Sequence, residues 1–108
     1  MPWSADIDTS FAGMNPVIYN YMSGQSEFTY TGTLTDYDVT SRLEQITALV
    51  LFTAGEYDET CPPTVRYYES FIPGSEMVVI PDAGHLTMQD NPEASNKAVG
   101  DFLKKHDP

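Results

Sequence analysis

The sequence predicts an α/β fold with parallel strands, the closing βαβα portion of a larger sheet. Two apolar runs and the helical patterns that follow them carry this reading. "ITALVLFTAG" is almost unbroken in apolar and β-branched residues and is closed by Gly55. That is the pattern of a strand buried on both faces, the usual state in a parallel sheet. "EMVVIP" is a second, shorter run of the same kind. Each is followed by a stretch with helical spacing, so the order strand, helix, strand, helix calls for a right-handed crossover. Two parallel strands alone make a poor sheet, and their edges and faces call for neighbours.

The elements follow in chain order. Residues 1–13 are small and polar apart from Trp3 and Phe11 and show no period. "PVIYNYMSG" reads as a short helix that begins at Pro16 and ends at Gly24. "EFTYTGTLTDYDVT", rich in Thr and aromatics, suggests extended structure that breaks at Asp36-Tyr37-Asp38. "VTSRLEQI" has the length of one or two helical turns leading into the first strand. "PPTVRYYESFIPG" starts on proline, places Val65, Tyr68 and Phe71/Ile72 on one stripe, and stops at Pro73-Gly74. "NPEASNKAVGDFLKKH" repeats Ala94, Ala98/Val99 and Phe102/Leu103 at helical spacing, with Lys104 and Lys105 at the end that favours cations. The aromatics of "YYESF" and Met22, Met77 and Met88 read as core packing. His106, in "KKHDP", reads as solvated.

Composition narrows the function classes. A chain of 108 residues is enough for one small domain, and a 41% hydrophobic share with many aromatics argues for packing rather than disorder. The formal net charge is -11, from 16 Asp+Glu against 5 Lys+Arg. Such a surface repels phosphate backbones and anionic membranes, so neither nucleic acid nor membrane is expected as a partner. Cys61 is the only cysteine, which removes an internal disulfide or a cysteine-based zinc site and fits the cytoplasm. The first residues lack a basic and apolar leader pattern, and the longest apolar run, residues 48–52, is too short to cross a bilayer. A soluble, cytoplasmic protein is expected.

The chemistry is expected beyond the C-terminal ends of the strands, where open α/β sheets gather their functional groups. Asp58 lies just after Gly55 in "GEYDE", and His85 follows the second strand in "PDAGH". Adjacent parallel strands would bring these loops together. A carboxylate there can accept the imidazole Nδ1 proton and support the imidazolium formed in catalysis. Gly84 allows tight backbone geometry before the histidine. From position alone the plainer alternative stays open, in which Asp58 turns a loop and His85 is an ordinary surface residue. Glu27 and Glu59 by residue type alone are solvated charges. A metal site on Asp58, Glu59 and His85 is disfavoured, because His85 and His106 are the only imidazoles and no His-x-x-x-His spacing occurs.

"GEYDE" and "PDAGHLTMQDNPEASNKAVGDFL" resemble the end of an α/β-hydrolase. More narrowly, "MSGQSEFTYTGTLTDYDVTSRL" resembles the segment leaving the cap domain in proline iminopeptidases, a family of serine aminopeptidases. The likeness covers about residues 14–105, and "SEF…TGTL…D" is its specific part. The resemblance implies that Asp58 is the triad acid and His85 the general base. It also implies that Glu27 and Glu59 hold the free α-amino group of a peptide. A protonated amine is held well by carboxylates through charge-assisted hydrogen bonds. Residues 1–26 would then be a cap remnant with an N-terminal extension, and 27–108 the C-terminal part of the hydrolase core.

The nucleophile is missing from this pattern. Such enzymes carry serine on a G-x-S-x-G turn between strand and helix, in the order Ser, Asp, His. Gly24-Gln25-Ser26-Glu27-Phe28 has Phe where the second glycine belongs and follows a helix. Gly74-Ser75-Glu76 precedes a strand. Cys61 reads as a buried or loop thiol rather than a nucleophile. The order rule places the serine and its oxyanion-binding loop upstream. The complete enzyme is expected to release N-terminal proline or similar residues from peptides without a cofactor, and the chain alone is expected to be inactive. Two alternatives stand beside this. One is a non-catalytic interaction module that self-associates or pairs with an N-terminal half. The other is a different α/β-hydrolase, such as an esterase, epoxide hydrolase or haloalkane dehalogenase, which share the Asp…Gly-His ending.

Overall fold

A computed structural model describes residues 12–26 and 28–108. The chain divides into two compact units between Asp38 and Val39, at the Asp36-Tyr37-Asp38 break.

In the first unit, helix α1 spans Pro16–Met22. Asn15 caps it, its Oδ1 accepting from the Val17 and Ile18 amides, and Pro16 occupies the first turn, where a missing N–H costs nothing. The extended structure expected after Gly24 does not form. Among the described residues, 28–39 make turns, with one isolated antiparallel bridge between Ser26 and Thr29. The cause is the end of α1. Its last carbonyls lack helical partners, and the returning chain satisfies them: Thr33 N–H donates to Tyr21, Leu34 to Met22 and Thr31 to Ser23. Gly32 is required there, since a Cβ would fall 2.5 Å from both the Tyr21 and Met22 carbonyl oxygens. The Thr35 hydroxyl donates to the Tyr30 and Gly32 carbonyls, so the threonines that suggested a strand serve a turn instead.

The second unit holds the α/β arrangement. A 3₁₀ turn over Thr40–Gln45 leads to β1 (Leu51–Gly55). Helix α2 (Pro62–Glu69) follows, then β2 (Glu76–Ile80), the short α3 (Thr87–Asp90) and α4 (Pro92–His106). The strands pair in parallel, with Leu51 opposite Glu76 and Gly55 opposite Ile80. Helix α2 lies against both strands, and α4 against β2 and α3. Ala54, Val65, Ile72, Ile80, Ala83 and Ala98 are buried, with Ile80 fully enclosed.

Several sequence expectations are corrected. The first strand is confined to residues 51–55, and Ile46 and Leu49 ahead of it are exposed. Thr53 of β1 and Val78 of β2 are exposed, so the strands are not covered on both faces by the described residues. Helix α2 buries Val65, but Tyr67 and Tyr68 stay exposed; Tyr67 meets Phe71 edge to face at 5.0 Å. Met22 and Met88 are also exposed, not core. Of the two expectations for Cys61, the structure shows the loop thiol, exposed at the N-cap of α2. The helix α3 was not anticipated, since four residues are too few to show a period.

His106 is not a free solvated residue. Its Nε2 lies 2.9 Å from Glu76 Oε2, while Lys105 Nζ donates to Glu76 Oε1 at 2.9 Å. Its ring also meets Phe102 edge-on at a centroid distance of 4.7 Å. One carboxylate at the start of β2 therefore holds the last turn of α4. Hydrogen bonds from His106 and Lys105 hold the Glu76 carboxyl below its ordinary value. A carboxyl lowered in the folded state contributes stability above its unfolded value and loses it as pH falls through the folded one. Replacing Glu76 with Gln should reproduce the acid state at neutral pH. Amide exchange in the last turn of α4 is expected to speed up several-fold while Ile80 exchange stays slow; unchanged exchange at residues 103–106 would refute the clasp.

Candidate active site

The register of the sheet creates the site. Because Gly55 stands opposite Ile80, both strands end at the same level and their loops leave side by side. Glu56 N–H donates to the Ile80 carbonyl and Tyr57 N–H to the Ala83 carbonyl, both at 2.9 Å, which zips the loops together beyond the strands. The approach is close enough to demand glycine at position 55. A Cβ there would fall 2.5 Å from the Ala83 carbonyl oxygen and nearer still to that of Gly84. Gly84 is thus important as the surface that Gly55 meets. The left-handed conformation in this loop belongs to Asp82 (φ 53°), a residue type that tolerates it.

Asp58 and His85, 27 residues apart in sequence, meet here: His85 Nδ1 lies 3.0 Å from Asp58 Oδ1. With Asp58 as acceptor, Nδ1 carries the proton, and Nε2 is the nitrogen left for other chemistry. The two partners are set differently. The Asp58 side chain is 7% exposed and the His85 side chain 62%. Asp58 is fixed by its own turn, with Oδ1 also accepting from Thr60 N–H at 2.9 Å and Oδ2 from Gly55 N–H at 3.4 Å. Burial pushes its carboxyl up, but the bonds from His85, Thr60 and Gly55 outweigh this and hold it below its ordinary value. The carboxylate therefore stays ionised near neutrality and keeps the imidazole in one tautomer.

The other acids are placed less fully. Glu59 follows Asp58 in the same loop and is exposed. Glu27 lies outside the described residues. Sequence reasoning missed Glu56, Asp90 and Asn91, which bond the backbone of residues 81–84. The only signal for them is their place within a few residues of the strand ends. Among the described residues, no three His, Cys, Asp or Glu side chains are grouped to hold a metal ion. No helix among them is long and apolar enough to cross a membrane.

Paired parallel strands with an acid after one and a histidine after the next define the C-terminal α/β portion of an α/β-hydrolase fold, and solved structures agree. A crystal structure of proline iminopeptidase from Mycobacterium smegmatis matches 99% of this chain with a TM-score of 0.88 and 38% identity. The crystal structure of VinJ matches 97% with a TM-score of 0.86 and 28% identity. In sequence, proline iminopeptidase of Heyndrickxia coagulans is 42% identical over 89 residues, 82% of this chain. The chain belongs to the proline iminopeptidase-like α/β-hydrolases, matching the C-terminal part of these relatives. It spans about a third of their length, 31% of the Heyndrickxia coagulans protein and 36% of the Mycobacterium smegmatis one. No protein-family model matches the sequence.

Proposed function

We propose that this chain supplies the acid and base of a serine aminopeptidase that releases proline or a similar residue from peptide N-termini. The observation that carries the reading is the Asp58–His85 pair at 3.0 Å, with a buried carboxylate and an exposed imidazole. In this mechanism Asp58 holds the Nδ1 proton, so the Nε2 lone pair can take the proton of a serine hydroxyl. The serine oxygen attacks the scissile carbonyl and forms an acyl-enzyme. His85 returns the proton to the leaving amine and then activates water to hydrolyse the ester. Glu59, exposed beside Asp58, offers a carboxylate to the substrate ammonium. The serine and the oxyanion donors come from sequence outside these residues, which accords with relatives about three times as long. The setting is cytoplasmic, in keeping with a single thiol.

The test is a chimera in which this chain replaces the matching stretch of the Heyndrickxia coagulans enzyme. It should release 4-nitroaniline from prolyl-4-nitroanilide but not from the N-acetylated compound, while the 108-residue chain alone releases none. Equal turnover of both compounds would refute the aminopeptidase assignment, and turnover by the chain alone would refute the external serine.

A second reading is a non-catalytic module that completes a separate hydrolase chain. It is favoured by a groove of about 360 Å³ between the strands and α4, lined by Leu51, Val78, Ala94 and Phe102. Val99 and Leu103, outside that groove, are exposed elsewhere on α4. Light scattering separates the cases, since a cooperative monomer that ignores an added N-terminal half would count against this module.

A further inference from the structure

We propose that Asp90, with Glu56, is a positioning residue that sets His85 against Asp58 by gripping the backbone ahead of the histidine. The inference rests on the reading of His85 as a base and deepens it. The His85 side chain is 62% exposed, so packing does not orient it. Its direction must come from the bond to Asp58 and from the loop that carries it. That loop is short of apolar anchors, with only Ala83 enclosed.

Polar bonds take the place of packing. Asp90 Oδ2 accepts from Gly84 N–H at 2.9 Å, one residue before the histidine. Glu56 Oε2 accepts from Asp82 N–H at 3.1 Å, reaching across from the loop after β1. Asn91 Nδ2 donates to the Pro81 carbonyl at 2.9 Å, while Asn91 Oδ1 caps α4 by accepting from Ala94 N–H. Residues 81–84 are therefore held at alternate peptides from both sides. Asp90 is the critical member, because its bond fixes the Ala83–Gly84 peptide, the last one before the peptide that carries His85. Its place at the end of α3 also explains that short helix, whose single turn brings the carboxylate back onto the loop.

The test reads the imidazole directly, by long-range ¹H–¹⁵N spectra of the 108-residue chain. In the wild type His85 should show one tautomer with a slowly exchanging Nδ1 proton. Asp90→Ala should speed that exchange at least tenfold and mix the tautomers, leaving the His106 ring unchanged. Asp90→Asn keeps an acceptor oxygen and should restore the signal. Exchange within twofold of wild type in Asp90→Ala, or equal changes at His85 and His106, would overturn the proposal. If Asp90→Ala does not fold, the wild type decides. The Gly84 amide should be protected from solvent exchange by its bond to Asp90, and a freely exchanging Gly84 amide would overturn it. A wild type without an Nδ1 proton would sink the base assignment and this inference together. A normal His85 spectrum in an inactive chimera would sink only the enzymatic reading.

Discussion

Replacing His85 with Ala in the chimera should lower kcat/KM for prolyl-4-nitroanilide by about six orders of magnitude. In the proposed mechanism the imidazole both removes and returns the reacting proton, and no other His lies near Asp58 among the described residues: His106 sits at the far end of α4 on Glu76. Asp58→Asn should cost about four orders of magnitude through a different route. An amide at position 58 can donate to Nδ1, which moves the imidazole proton to Nε2 and removes the lone pair needed there. The double variant should be no slower than His85→Ala alone, because the two groups act as a unit. Retention of activity within tenfold in His85→Ala would show that the reaction is run by other groups.

Gly55→Ala should destabilise the second unit by about 1–3 kcal/mol, the usual cost of forcing an extra methyl into a packed site. Here the obstacles are the Ala83 and Gly84 carbonyls, and backbone cannot swing aside as a side chain can. For a small core that contributes only about 3–5 kcal/mol, such a loss is large. Relief would require the loop carrying His85 to move away, so loss of the Nδ1 proton signal should accompany the loss of stability. Gly100→Ala is the natural control. It lies within α4 with nothing within 4 Å of an added Cβ, and should stabilise by about 0.5–1 kcal/mol. Urea unfolding midpoints measure both, and a Gly55→Ala midpoint equal to wild type would refute the close approach.

The strengths and failures of sequence reading in this chain have separate causes. The strand β2 and the helix α4 were legible almost to the residue, because a short apolar run and a long amphipathic repeat are local patterns. The segment 28–39 was not. Its threonines have the composition of a strand, yet their backbone donors are claimed by the open end of α1, a demand invisible in the segment itself. The aromatic and methionine stripes misled in a related way. Periodicity says which face of an element is apolar, but the strands and helices that would cover Tyr68, Val78 or Leu103 are not among these residues, and those side chains remain exposed.

By itself the sequence determined the order of strands and helices and the places where an acid and a histidine leave the ends of two strands. Both depend on neighbouring residues along the chain. Only the tertiary structure decided that Gly55 faces Ile80, that Asp58 reaches His85, that three side chains grip the intervening loop, and that His106 is tied to Glu76. These are contacts between residues far apart in sequence. Their geometry follows from how two strand ends align, which no local pattern of polar and apolar residues encodes.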